Sequence, residues 1–431
     1  MKAKIIKLRI LGLIIIFLSL SQVKTSSKNF TVTCLDTVVS NGAVTSVDSA
    51  ISVALDSVVA EPLSWPESMT TGIDKLLETD MFTRSQVAVV VYNLDADSVM
   101  YDYKGRQLMR PASVMKLFTA CTALNNLGGD HLFKTSLYYK GNIADSTLHG
   151  DIYIKGGFDP MFGYDDMYSF VESIKLHGIH KIDGNIYTDV SFKDTLKWGE
   201  GWCWDDKETK LTPLLYDGRD VFVEKFMQLL SMDSIRHPNI CLRGRAEGDS
   251  IVLLDIRSHS IDQMLTHTMK KSDNLYAESL FYQLGASDKV PYASTKRSAN
   301  EVYGLIKKLG FDPSEYTVAD GSGLSLYNYV TPQLVIGLLK FAWNNKNIFN
   351  HLYPTLPVAG LDGTLRNRMR YTPAEYMIHA KTGTLRRVST LAGYTKSANG
   401  TNLAFCIFNQ GIATAAEGKN FQDKVCNLMV E

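Results

Sequence analysis

The sequence predicts an α+β protein: an antiparallel sheet flanked by helices, interrupted by a β-rich inserted domain. Three observations carry that expectation. A β-branched hairpin at 86–103 and two strand-like runs near the C-terminus supply the sheet. Apolar residues recur at helical spacing from Val114 to Leu124 and again from Ile261 onward. Between those stretches, residues 133–258 switch to short strands broken by glycine and aspartate turns. The division that follows is 1–21 as a leader, 22–65 as a mobile arm, 66–134 together with 259–431 as the main domain, and 135–258 as the insertion.

Each element has its own local reason. Lys2, Lys4, Lys7 and Arg9 form a basic head, and Ile10 to Leu20 is a nearly unbroken apolar run. This is the layout of a secretory signal peptide, which predicts a periplasmic protein. The run falls short of the roughly 20 residues that span a bilayer, which argues against a membrane-spanning helix; the competing expectation is an uncleaved N-terminal anchor, with peripheral membrane or cell-wall association. Residues 22–61 are rich in Ser, Thr, Val, Asp and Ala and read as a weakly structured arm. Ile73 to Leu77 reads as a short helix. Gln86 to Tyr92 and Ser98 to Tyr103 are strands joined by Asn93-Leu94-Asp95-Ala96-Asp97. In the insertion, Thr135 to Lys140, His149 to Lys155 and Gly184 to Thr188 read as strands, and Gly156 to Pro160 as a tight turn. Trp198, Trp202 and Trp204 read as packing residues. Helices are expected over Ser298–Leu309 and Pro332–Ala342. Strands are expected over Val388–Tyr394 and Leu403–Asn409, with a short terminal helix after them.

Composition narrows the function. The chain has 431 residues, enough for more than one domain, and 45 basic residues balance 45 acidic ones. A neutral total argues against a nucleic-acid partner. The six cysteines are widely spread and none has zinc spacing, so no metal or other cofactor is expected. Export would permit disulfides; Cys203 with Cys241 and Cys406 with Cys426 are conceivable pairs, and unpaired buried thiols are the other reading.

The chemistry starts at Pro111-Ala112-Ser113-Val114-Met115-Lys116, where a loop runs into a helix. Three residues is just under one turn, so Ser113 and Lys116 share a side. A serine hydroxyl becomes a nucleophile when a base takes its proton, and a lysine can be that base when burial lowers its pKa. Alone, S-x-x-K is a pattern that chance supplies several times in a chain this long, and its bland reading is a helix cap before a surface lysine. Two later elements change that: Ser272-Asp273-Asn274 between helical segments, and Lys381-Thr382-Gly383-Thr384 on a strand. The ordered triple is the signature of penicillin-binding proteins and related β-lactamases. In it, Ser113 attacks a carbonyl, Lys116 takes its proton, and Ser272 passes a proton to the leaving group. Asn274 holds the substrate backbone. Lys381 faces a carboxylate and helps keep Lys116 neutral, while Thr382 and Thr384 bind that carboxylate. Gly383 lets the strand approach the substrate, and the N–H groups of Ser113 and Thr384 form an oxyanion hole. Asp320-Gly321-Ser322-Gly323-Leu324-Ser325 lacks any phosphate-loop pattern and reads as a turn.

Beyond the triple, the chain resembles the D-alanyl-D-alanine carboxypeptidase/endopeptidase family of class C low-molecular-mass penicillin-binding proteins. The residues that carry the resemblance are Pro111 to Lys116, Gly150 to Gly157 with Asp159-Pro160, Gly201 to Asp206, Lys271 to Glu278, Asp320 to Ser325, Leu356 to Gly360, Asp362 to Leu365 and Lys381 to Thr384. The resemblance implies a serine transpeptidase-like domain interrupted between its first two motifs. Ser113 and Ser272 lie 159 positions apart, in keeping with such an interruption. It also implies action on peptidoglycan stem peptides and cross-links, and acylation by β-lactams as covalent inhibitors. By the same likeness, Asp159 would meet a diaminopimelate amino group. Two departures stand out. The insertion is shorter than in the longest relatives, and Leu326 stands where many relatives carry an arginine. The rival expectations are a serine β-lactamase, which needs a water-activating carboxylate, and a non-catalytic wall-binding protein of the same fold.

Overall fold

The computed structural model describes residues 64–203, 205–206, 208–286 and 292–431. The expected leader, all but the last two residues of the expected arm, Cys34 and Trp204 lie outside these residues.

Helix α1 (Glu67–Leu77) precedes the hairpin β1 (Gln86–Asn93) and β2 (Ser98–Tyr103). Together with β9 (His379–Leu385), β10 (Val388–Lys396) and β11 (Asn402–Gln410), the hairpin forms an antiparallel sheet in the order β2-β1-β11-β10-β9. β1 is apolar almost throughout because both of its faces are covered. Val87, Val89 and Val91 pack under α1 and α10 (Ala415–Val430), alongside Met69, Ile73, Phe421, Val425 and Met429. Ala88, Val90 and Tyr92 point the other way, into a larger core. That core is built by α2 (Met115–Leu127), α5 (Ile261–Lys271), α6 (Asn274–Leu284), α7 (Thr295–Lys308), α8 (Pro332–Asn344) and α9 (Lys346–Leu352). The result is helices on both faces of one sheet, a recurrent way to bury two apolar faces at once. The first helix and the terminal helix are both longer than expected, because each lays an apolar stripe on the sheet.

The second sheet lies between α2 and α5. It contains β3 (Leu132–Ala144), β4 (Thr147–Lys155), β6 (Ile186–Asp189), β7 (Cys241–Arg243) and β8 (Val252–Ser260) in the order β7-β6-β4-β3-β8, with β5 (Lys181–Ile182) beside β4. It also carries α3 (Tyr164–Leu176) and α4 (Phe222–Met232). Both helices are amphipathic, burying Met167, Phe170, Val171 and Ile174 on one and Phe222, Phe226 and Leu230 on the other. The insertion is therefore richer than strands and turns. β4, β6 and β7 pair in parallel, and a parallel pair needs a crossover that a helix supplies.

A small apolar cluster joins the insertion to α6: Phe158, Leu211 and Leu215 pack with Leu275 and Tyr282. Two polar contacts reinforce it, from Gln283 Nε2 to the Gly157 carbonyl at 2.7 Å and from Ser279 Oγ to the Phe158 carbonyl. Among the described residues, Cys121, Cys203, Cys241, Cys406 and Cys426 are free, so neither conceivable disulfide is formed. No helix among the described residues is long and apolar enough to cross a membrane.

Candidate active site

Ser113 sits in a 3-10 turn, Ala112–Val114, that runs straight into α2. Two close approaches clamp the turn. From β9, a Cβ on Gly383 would stand 2.9 Å from the Pro111 carbonyl and 2.9 Å from the Ser113 nitrogen. From the glycine loop, Gly323 (φ +79°) brings its backbone against the Ala112 carbonyl and leaves no room for a Cβ. Thr390 Oγ1 of β10 donates to the Pro111 carbonyl at 2.8 Å. Gly383 is thus required by the serine's own turn, a tighter constraint than the expected approach to substrate.

Lys116 occupies the first turn of α2 and is fully buried. Its Nζ lies 3.0 Å from Ser113 Oγ, 2.6 Å from Asn274 Oδ1 and 2.7 Å from the Ser322 carbonyl. Burial lowers its pKa to about 8, against the opposing pull of Asp320, Glu278, Asp273 and Glu208. A neutral amine has two N–H donors and one lone pair. The two carbonyl-type oxygens take the donors, which leaves the lone pair for the Ser113 hydroxyl. The expectation that Lys381 keeps Lys116 neutral needs correcting: desolvation does so. Lys381 is itself held well below the ordinary lysine range by burial, and less by Lys116.

Ser272 links α5 to α6 in a left-handed conformation, φ +58°. Asp273 caps α6 by accepting from the Tyr276 N–H. Ser272 Oγ accepts from Lys381 Nζ at 2.7 Å, so the hydroxyl expected to serve Lys116 is tied to the second lysine. Asn274 is also committed, with Oδ1 on Lys116 and Nδ2 donating to Glu208 Oε1 at 2.8 Å. On β9, Lys381 donates further to the Thr382 carbonyl at 2.7 Å, and Thr382 Oγ1 donates to Thr364 Oγ1 at 2.7 Å. Thr384 is exposed, with its side chain open to a ligand.

The structure therefore brings Ser113, Lys116, Ser272 and Asn274 together with the β9 motif. Asp159 reaches the same region on a turn whose Pro160 carbonyl accepts from the Tyr276 hydroxyl, in the first turn of α6, at 3.4 Å. The Asp159 carboxylate is buried in the Gly156–Phe162 turn, where it accepts from the Met161 N–H at 2.9 Å and pairs with His259 Nδ1 at 2.6 Å. One Asp159 oxygen is thus paired with β8 and the other with the backbone of its own turn.

Asp320 and Glu278 fall within stretches that carry the family resemblance, but the sequence alone assigns them no role. Asp320 is buried and accepts from Trp202 Nε1, the Gly323 and Ser325 N–H groups and Asn328 Nδ2, all within 2.8 Å. Glu278 Oε1 accepts from the Gly321 and Ser322 N–H groups, and burial pushes its carboxyl up to about 8. These two acids shape the glycine loop so that the Ser322 carbonyl meets Lys116. What reads as a turn is one wall of the lysine's cage. Arg110 Nε donates to the Leu326 carbonyl at 2.9 Å, placing a guanidinium beside the departure noted above.

This geometry has counterparts. A family model described as D-Ala-D-Ala carboxypeptidase 3 (S13) matches residues 69–215 and 207–431. The D-alanyl-D-alanine carboxypeptidase DacB of Haemophilus influenzae is 26% identical over 85% of this chain and 94% of its own length. A D-alanyl-D-alanine carboxypeptidase from an Actinomadura species is 26% identical over 79% of this chain and 80% of its own. Among solved structures, penicillin binding protein 4 from Haemophilus influenzae complexed with a β-lactam superposes at TM-score 0.70 with 25% identity, covering 84% of this chain and 100% of that one. A predatory endopeptidase from Bdellovibrio bacteriovorus shares the fold at TM-score 0.53 and 17% identity, over 80% of this chain and 93% of its own. The family match spans nearly all of the described chain, and the protein belongs to the D-Ala-D-Ala carboxypeptidase 3 family of serine peptidases, the class C low-molecular-mass penicillin-binding proteins.

Proposed function

We propose that this protein is a serine D-Ala-D-Ala carboxypeptidase/endopeptidase that acts on peptidoglycan stem peptides and cross-links through an acyl-enzyme at Ser113. The observation that carries the assignment of Ser113 is the buried lysine 3.0 Å from its Oγ, with both N–H donors engaged elsewhere. Ser113 Oγ attacks the carbonyl of the penultimate D-alanine and gives its proton to Lys116. The N–H groups of Ser113 and Thr384 receive the developing oxyanion. The C–N bond breaks as a proton reaches the leaving amine through Ser272, and water then releases the acyl group. Lys381, Thr382 and Thr384 recognise the terminal carboxylate, and the Asn274 amide lies beside the acyl chain. A β-lactam enters the same sequence, but its leaving nitrogen stays tethered, so the adduct persists.

On this reading residues 135–258 are an insertion in a catalytic domain composed of 66–134 and 259–431. The basic, apolar N-terminus supports export to the periplasm and leaves peripheral attachment to the membrane or wall as the alternative to cleavage. The test is the intact mass of protein lacking residues 1–21 after exposure to benzylpenicillin, beside Ser113→Ala. A one-to-one adduct on the unsubstituted protein alone is expected. Intact drug with folded, unmodified protein overturns the enzymatic reading. Hydrolysed drug without an adduct indicates a β-lactamase.

A further inference from the structure

The motif residues around Ser113 lie outside the insertion, which sends Glu208 in against one of them. Glu208 comes from the segment after β6 that runs over the glycine loop. There Trp202 Nε1 holds Asp320 at 2.8 Å, and Leu211 anchors the segment in the cluster against α6. Glu208 Oε1 accepts from Asn274 Nδ2 at 2.8 Å, and Asn274 Oδ1 in turn faces Lys116 Nζ at 2.6 Å.

An asparagine amide has two ends of nearly equal size and opposite hydrogen-bonding sense, so its partners decide its orientation. We propose that Glu208 is a positioning residue for the acylation step: its carboxylate holds the Asn274 amide with the oxygen toward Lys116. A carboxylate only accepts, so it tolerates the NH2 end and repels the oxygen. Were the amide reversed, its NH2 would donate into the lysine lone pair. That lone pair is the one that removes the Ser113 proton, and the lysine would be occupied before substrate arrived. Through this contact the insertion controls a base that lies on another part of the fold. Glu208 acts on the base through its bond to Asn274, with its charge as a smaller, direct influence on Lys116.

The inference rests on the reading of Ser113 and Lys116 as nucleophile and base, and the experiment separates the two. Second-order acylation by benzylpenicillin is measured from pH 6 to 10 for the unsubstituted protein, Glu208→Gln and Glu208→Ala. Glutamine keeps the size but presents either end to Asn274, so the plateau rate falls about threefold; alanine removes the acceptor and the rate falls about tenfold, part of the range general-base catalysis spans. Both substitutions remove a negative charge near Lys116, so the pH midpoint moves down in both. That shift reports the charge alone; the positioning role is read in the plateau rate per molecule of reactive protein, which a merely structural role would leave unchanged while lowering the amount of reactive protein. Unchanged plateau rates in both variants, with the unsubstituted protein reacting normally, overturn the role of Glu208. Failure of the unsubstituted protein to acylate overturns the underlying reading. If the alanine variant does not fold, the near-isosteric glutamine variant decides the matter.

Discussion

At the scale of residues, the site depends on one lysine made basic by location. Lys116 is fully buried, and its pKa falls to about 8 because burial disfavours the charged form. The sign for activity follows directly. Below that value the amine is protonated and cannot accept the Ser113 proton; above it the lone pair is free. Acylation by a β-lactam should therefore accelerate as pH rises, with a midpoint near 8, measurable by stopped mixing and mass spectrometry. A rate that is flat from pH 6 to 9 would contradict Lys116 as the base. Lys116→Ala should cost about 10²–10⁴-fold in acylation rate with Ser113 still present. The sequence shows the spacing of Ser113 and Lys116 but not the burial, which depends on Ser322, Asn274 and the acids behind them.

The elements that hold these residues meet by backbone approach. The glycine loop and β9 both close on the Ser113 turn, each with a glycine at the contact. Gly323 has a positive φ as well as no space for a Cβ, so a substitution there is opposed twice. Gly323→Ala should lower unfolding free energy by about 1–3 kcal/mol and slow acylation, because relief of the clash displaces Ala112 beside Ser113. Denaturant unfolding together with adduct formation checks both halves, and a variant with unchanged stability would remove the steric account. Most strands were legible from β-branched runs, since a strand's pattern is local. The helices of the insertion were hidden behind its turns, although their apolar spacing was present in the residues.

Across the whole molecule, the insertion is held to α6 by a small apolar cluster and by the ends of its strands. The Asp159–His259 pair fixes the turn that packs there. The bond to Asp159 raises the His259 pKa above its ordinary value near 6.5, against some loss from burial. Burial in turn pushes the Asp159 carboxyl up, while the same bond draws it back. A histidine whose folded pKa is raised contributes stability fully below its unfolded pKa and loses it as pH rises through the folded one. The difference in unfolding midpoint between the unsubstituted protein and His259→Asn should then be largest near pH 6 and shrink toward pH 9. A gap that is constant with pH would mean that the imidazolium charge contributes nothing to the turn.

The sequence by itself determined the reactive groups and their order along the chain: a serine and lysine one helical turn apart, an inter-helix Ser-Asp-Asn, a strand bearing Lys-Thr-Gly, and a long interruption between the first two. Those are local patterns, and local patterns follow from spacing. Only the tertiary structure decided which atoms meet. Lys116 reaches Asn274 and Ser322 across 158 and 206 positions, Lys381 takes Ser272 across 109, and Asp159 is given to His259 across 100. Periodicity carries no information at such separations. They are set by how helices and sheets pack, and by the need of every buried polar group for a partner.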